Sequence, residues 1–317
     1  MISAVVVTHE SASCIGRCLA SIREHLPDAE IVVVDNASAD ASIQIARGFG
    51  ARVVELPRNV GFGRGCNAGV ATTSGEHVLF VNPDVTLVSV RQVDLEELLA
   101  SRPFGLVPGK LIDRTGAVRR ERRLPESGLL ADLLKHTFGM LRPRGLRLPV
   151  RLRRESHDGW ASAALLLAAR DEFERVGGFD PRFFMYYEDR DLCARYRAER
   201  LPLRSTDAIL AVHLGGGSSD GDPLRVEPLG WAFLSWLEYV SIHRGERSAH
   251  IAAAGGWQTL RTIETVLSAA AALVPRTGRI ARKRQQVESL VVFLRQHALA
   301  QDDICPEART ALANVVR

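Results

Sequence analysis

The sequence predicts an α/β fold with a mostly parallel central sheet, followed by a C-terminal helical region. Short β-branched runs recur near the N-terminus without polar alternation, stretches at helical spacing separate them, and polar residues close each run. Ala4–Thr8 reads as the first strand. Ile15–Leu26 follows as a helix, with Ile15, Cys18, Leu19, Ile22 and Leu26 on one face. Glu30–Val34 is the second strand and stops at Asp35-Asn36. Asp40 is a candidate N-cap for a helix through Gly48, and Arg52–Leu56 is the third strand. Gly65–Ser74 is expected as a helix leading into the strand His77–Val81, which ends at Asn82-Pro83-Asp84.

The pattern then weakens. Residues 113–157 carry Gly, Pro and many Arg, with little periodicity apart from Leu129–Leu134, and read as a long irregular excursion of the kind that forms lids. Order returns at Ala161–Ala169, with a helix over Asp171–Val176, a turn at Gly177-Gly178 and a helix from Asp189 to Arg200. That helix turns Leu192, Cys193 and Tyr196 inward, and Ile209–His213 is one more strand. Residues 229–297 read as two or three helices. There is no internal repeat.

With 317 residues, 46% hydrophobic and 25% charged, the chain can bury a large core, which excludes disorder. The net charge of +4 comes from Arg clustered at 142–154 and 276–284, which suggests an anionic partner. Nucleic acid, acidic lipid and a pyrophosphate-linked molecule all suit that sign. Five cysteines, at spacings of neither a zinc site nor a disulfide framework, fit a reducing cytoplasm. The N-terminus lacks a basic leader and reads as a strand. The apolar stretch Ile263–Pro275 contains Glu264 and is shorter than the roughly 20 residues of a spanning helix, so no transmembrane span is expected.

Open α/β sheets bind ligands beyond the carboxyl ends of their strands. There the sequence places Thr8 and Glu10, Asp35 and Asn36, Asp84, and His213. Asp35 suits a pyrimidine N–H or a ribose hydroxyl, with helix capping as the alternative. Gly61, Gly63 and Gly65 precede a helix and would let backbone approach a ligand closely, although their spacing is not that of the dinucleotide fingerprint. Asp84 is a hard oxygen ligand suited to Mg²⁺ or Mn²⁺ bridging two phosphates, and His213 is either its distant partner or a structural residue. The glycine run Gly215-Gly216-Gly217 beside it would close over a bound ligand. The densest signal is Phe183-Phe184-Met185-Tyr186-Tyr187-Glu188-Asp189-Arg190-Asp191, three carboxylates at a helix start beside aromatics. That pattern fits a general base with apolar neighbours, where simple charge capping would not call for the aromatics.

These motifs resemble glycosyltransferase family 2, and within it the bacterial rhamnosyltransferase-like members. The resemblance covers roughly residues 2–220. It rests on Val5-Val6-Val7-Thr8-His9-Glu10, Val33-Val34-Asp35-Asn36, Asn59-Val60-Gly61-Phe62-Gly63 with Asn67, Asn82-Pro83-Asp84-Val85, Gly177-Gly178-Phe179-Asp180, Glu188-Asp189-Arg190-Asp191-Leu192 and His213. It implies a GT-A fold, the Rossmann-like fold of nucleotide-diphospho-sugar transferases, over residues 1–225. Residues 1–110 would be the nucleotide-sugar half and 111–225 the acceptor half, with a mobile basic loop at 113–157; residues 226–317 would form a helical region at a membrane surface. Thr8, Glu10, Asp35, Asn36, Asn59, Gly61, Phe62, Asn67, Asn82 and Asp84 are then expected at the nucleotide sugar. Trp160, Tyr187, Glu188 and Asp191 are expected at the acceptor, Asp189 as catalytic base, and Asp84 with His213 at a divalent cation, Mg or Mn. Asn82 stands where the family's metal motif has its first Asp, and His9-Glu10 replaces a more usual Tyr-Asn pair.

The activity so implied is inverting, metal-dependent transfer of a sugar, with dTDP-rhamnose the favoured donor, to a lipid-linked or polysaccharide acceptor in cell-wall or polysaccharide biosynthesis. The setting would be cytoplasmic or peripheral on the inner face of an anionic membrane, and a homodimer is compatible with it. A non-catalytic nucleotide-sugar-binding partner subunit would keep Asp35 and Asp84 but has no need of Asp189. A nucleic-acid binder is not expected, because the basic stretches lack interleaved aromatics and any recognisable module.

Overall fold

The computed structural model describes residues 1–113, 115–118, 159–213, 226–273, 278–300 and 305–316. They form two compact units: a sheet unit of residues up to 180 together with 188–213, and a helical unit of 181–187 and the described residues from 226 onward. The Arg-rich stretch 142–154, nearly all of the 113–157 excursion, the glycine run 215–217 and Arg276 lie outside the described residues.

The sheet unit opens as the periodicity predicts: β1 (Ile2–Thr8), α1 (Ile15–His25), β2 (Glu30–Asp35), α2 (Ser42–Gly48), β3 (Arg52–Glu55), α3 (Phe62–Val70) and β4 (His77–Val81). β5 (Val85–Val90), α4 (Gln92–Leu99), β6 (Leu106–Pro108) and β7 (Lys110–Ile112) follow. After the undescribed stretch come β8 (Leu165–Ala169), α5 (Arg170–Arg175), α6 (Glu188–Ala198) and β9 (Ile209–His213). The main sheet has six strands in the order β3-β2-β1-β4-β8-β6. The first four are parallel, β8 runs antiparallel to β4, and β6 antiparallel to β8. A second sheet is ordered β5-β9-β7, with β9 antiparallel to β5 and parallel to β7.

The Val/Ile runs are uninterrupted because both faces of the main sheet are covered. Ala4, Val6, Ile31 and Val33 meet Ile15, Leu19 and Ile22 of α1 in one core. Val5, Val7, Val32 and Val34 meet Cys66, Phe173, Phe179, Leu192 and Tyr196 in the other. Each such aliphatic side chain, fully buried, contributes roughly 1.5–3 kcal/mol.

Two helix starts differ from expectation. α2 begins at Ser42, yet Asp40 still organises it, accepting hydrogen bonds from the Ser42 amide and hydroxyl at 2.9 and 2.5 Å and from the Ala12 amide at 2.8 Å. α3 begins at Phe62 and ends at Val70. Gly61, at φ +90°, supplies the left-handed entry, and the Thr72 and Thr73 hydroxyls return to the Gly69 and Val70 carbonyls at the exit.

The helical unit consists of α7 (Glu227–Arg244), α8 (Glu246–Leu273), α9 (Gly278–Ala298) and α10 (Pro306–Val316). Trp236, Leu237, Ala253, Leu260, Leu290, Leu294, Ala308 and Leu312 share one core, against which Phe184 and Tyr187 pack. Among the described residues no helix is long and apolar enough to cross a membrane.

Candidate active site

The ends of β1 and β2 carry two buried polar atoms without partners. Thr8 and Asp35 are register partners, 0% and 1% exposed. Thr8 Oγ1 and Asp35 Oδ1 have no hydrogen bond, while Asp35 Oδ2 accepts from the Ser38 amide at 2.9 Å. Leaving such a group unsatisfied costs roughly 1–3 kcal/mol, so a neighbouring pair at strand ends points to a ligand that completes them. Glu10 is exposed and held at φ +52°, its Oε1 taking the Ala39 amide. His9 Nδ1 lies 2.9 Å from the Asn36 carbonyl oxygen; a carbonyl only accepts, so that nitrogen carries the proton.

Several expected ligand contacts do other work. The Asn36 amide donates to the Gly61 carbonyl at 3.0 Å and its oxygen accepts from the Val60 amide at 3.3 Å. Asn59 Oδ1 accepts from the Gly61 amide at 3.0 Å. Both asparagines therefore shape the turn before α3. Asn67 clamps a distant loop, donating to the Phe179 carbonyl at 2.7 Å and accepting from the Phe179 amide at 2.9 Å. The Phe62 ring packs edge-on against Phe179, 5.9 Å between centroids.

The glycine run also has a packing role. A methyl group on Gly65 would lie 2.8 Å from Val7 Cγ1, and one on Gly69 2.5 Å from Val5 Cγ1 and 2.9 Å from Val34 Cγ2. One on Gly63 would stand 3.0 Å from Phe179 Cβ. These glycines let α3 press onto β1 and β2 and under the Phe179 loop.

Asp84 and His213 do meet. β9 runs antiparallel to β5 with Val85 opposite His213, which brings His213 Nε2 to 3.3 Å from Asp84 Oδ1. Both are nearly but not fully covered, at 12% and 11% side-chain exposure. A hard carboxylate oxygen beside an imidazole nitrogen fits a divalent cation whose other positions go to water and phosphate oxygens. Among the described residues no group of three or more His, Cys, Asp or Glu gathers at one point, so these two would be the protein's share.

Asp189 is brought to the same strand ends. The Asn82 amide donates to the Ala164 carbonyl at 2.9 Å, and the neighbouring Ala163 amide reaches Asp189 Oδ2 at 3.4 Å. Asp189 Oδ1 accepts from the Arg190 amide at 2.8 Å. Burial pushes the Asp189 carboxyl up to about 6, against the downward pull of these amides. Glu188 is buried with Oε2 unpartnered; burial first, then the charge of Asp189, holds its carboxyl well above the usual range.

Asp191 does not fit an acceptor role, because it is 1% exposed and taken by Arg195, with Nε at 2.8 Å and Nη2 at 2.7 Å. Trp160 packs onto the core around Phe80 and Phe179. Tyr187 belongs to the helical unit, its ring 5.5 Å from that of Tyr239. The Ala163 amide, which orients Asp189, carried no signal in the sequence, since a backbone donor has no residue identity.

Residues 3–100, which span β1 to α4, match glycosyl transferase family 2. The low-salt glycan biosynthesis hexosyltransferase Agl10 of Haloferax volcanii is 26% identical over 192 residues, covering 58% of this chain and 59% of that one, so the match spans less than two thirds of that relative. The N-acetylglucosaminyl-diphospho-decaprenol L-rhamnosyltransferase of Mycobacterium tuberculosis is 27% identical over 229 residues, 59% of this chain and 67% of that one. Among solved structures, the mannosyltransferase PcManGT of Pyrobaculum calidifontis, in complex with GDP-Man and Mn²⁺, superposes with a TM-score of 0.51 at 15% identity, covering 95% of this chain and 88% of that one. Over residues 3–100 the chain is similar to glycosyl transferase family 2, and with its βαβαβ opening and mostly parallel sheet it is built on the GT-A fold.

Proposed function

We propose that the protein is an inverting glycosyltransferase that moves a sugar, rhamnose from dTDP-rhamnose as the first choice, onto a hydroxyl of a lipid-linked or polysaccharide acceptor. The observation that carries this reading is the unpartnered pair Thr8 Oγ1 and Asp35 Oδ1 at the strand ends. A nucleoside supplies the N–H or hydroxyl donors that complete such a pair. The choice of rhamnose draws support from the mycobacterial relative, whose name also describes a lipid-diphosphate acceptor.

In this reading Asp84 and His213 hold a divalent cation, which when bound neutralises charge on the departing diphosphate. Asp189 takes the proton of the acceptor hydroxyl as its oxygen attacks the anomeric carbon. The bond from that carbon to the diphosphate breaks on the opposite side, the nucleoside diphosphate leaves with the electron pair, and configuration inverts. The buried Glu188 next to Asp189 limits the access of competing water. The exposed basic residues Arg282 and Arg284 of α9 suit an anionic surface where such an acceptor is anchored.

The test is sugar transfer by the parent and by Asp189→Asn across dTDP-, UDP- and GDP-sugars with and without Mn²⁺. The expected result is transfer with the dTDP donor and a loss of about 100-fold or more in the variant. Equal turnover in the variant removes Asp189 as base. Nucleotide-sugar binding without transfer by the parent would favour a non-catalytic partner subunit, and a UDP- or GDP-sugar outperforming dTDP-rhamnose replaces the donor.

A further inference from the structure

The chain from Pro181 to Tyr187 packs with the helical unit and runs directly on into Glu188 and Asp189. It is anchored there at several points. The Arg182 carbonyl accepts from the Cys305 amide at 2.7 Å, and the Met185 carbonyl from the Ser235 hydroxyl at 2.8 Å. The Phe184 ring lies 4.2 Å from that of Trp231, centroid to centroid. Arg182 Nη1 stands 3.3 Å from Glu307 Oε1 and 3.9 Å from Glu238 Oε1.

Glu238 is 0% exposed on α7; its Oε2 takes the Ala308 amide at 2.9 Å, and its carboxyl hydrogen-bonds that of Glu307. Two carboxyls in contact share a proton, and Arg182 supplies the cation for the charge that remains. Burial first, then Glu307, pushes Glu238 up to about 8, while Glu307 is lowered. The Cys305 thiol and Arg309 are the other titratable groups facing this cluster.

Between the anchors, Tyr186 and Tyr187 sit at φ +69° and +67°. Two consecutive bulky residues in the left-handed region are disfavoured, and such strain persists only where the surroundings over-determine it. Resting on the transferase reading above, we propose that Arg182, Glu238 and Glu307 are positioning residues of the reaction, holding the Arg182–Tyr187 chain in the left-handed turn that leads into Asp189.

Arg182→Ala, Glu307→Gln and Arg182→Lys in the full chain test this by two readouts. Amide hydrogen exchange at residues 183–189 is expected to quicken on the order of tenfold in Arg182→Ala, with exchange in β1–β4 unchanged. Its kcat is expected to fall about 10–100-fold while the affinity for dTDP, UDP or GDP, whichever the parent binds, stays the same. Glu307→Gln should show a smaller loss of the same kind, and Arg182→Lys should recover part of both effects. Unchanged exchange at 183–189, unchanged kcat despite faster exchange, or nucleotide affinity falling in step with kcat each overturns the proposal. A parent that transfers no sugar overturns the transferase reading and the catalytic half of this one, whereas unchanged exchange with an active parent overturns this one alone.

Discussion

A carboxylate that removes a proton near neutrality works best with its pKa lifted towards the working pH, and Asp189 is lifted to about 6 by burial. In the proposed reaction Asp189 acts in its ionised form, so kcat/KM is expected to rise with pH up to about 6 and level off above it. A pH–rate profile with no acidic limb near that value would rule out the assignment. The same lift has the opposite sign for folding. It favours the folded chain fully below the ordinary carboxylate range, and that contribution is lost as pH rises through about 6. The sequence singled out Asp189 as the proposed base because three carboxylates crowd a helix start beside aromatics. Asn67 and Asn36 were legible as polar residues near a site, but their partners lie 112 and 25 residues away, and no local pattern encodes such a bond. Asp191 shows the limit of carboxylate density as a signal, because its neighbour one helical turn on, Arg195, claims it.

Among the elements, α3 is governed by what it must approach. Gly69→Ala would push a methyl group against Val5 and Val34 of two parallel strands. Overpacking of that kind costs about 1–3 kcal/mol, measurable as a lower midpoint in urea. Gly48→Ala, with nothing within 4 Å of the added methyl, serves as the control and should not lose stability. A Gly69→Ala midpoint equal to the parent's would show that the sheet can yield. The alternating glycines suggested a ligand contact in the sequence because the same residue serves both purposes, and only the distance to Val5 and Val7 separates them. β1 to β4 were readable from continuous Val/Ile runs. β6 and β7 were not, since three residues each are too few for a period, and β5 escaped because its register partner β9 lies more than a hundred residues on.

At the scale of the whole molecule, the chain's division at Pro181 and Glu188 was not legible in the sequence, which read the aromatic run and the acidic helix start as one motif. The contacts that assign Arg182 to the helices come from Glu238, Cys305 and Glu307, far along the chain. All five cysteines are free and buried. Burial raises the thiols of Cys14, Cys18, Cys66 and Cys305, the last to about 12. The folded protein should therefore resist alkylation by iodoacetamide, and each sulfur becomes reactive only when the chain around it opens. Cys305 belongs to the helices and the other four to the sheet. Mass-resolved labelling along a denaturant series would then timestamp the melting of each half from one sample, a built-in pair of clocks that needs no engineered probe.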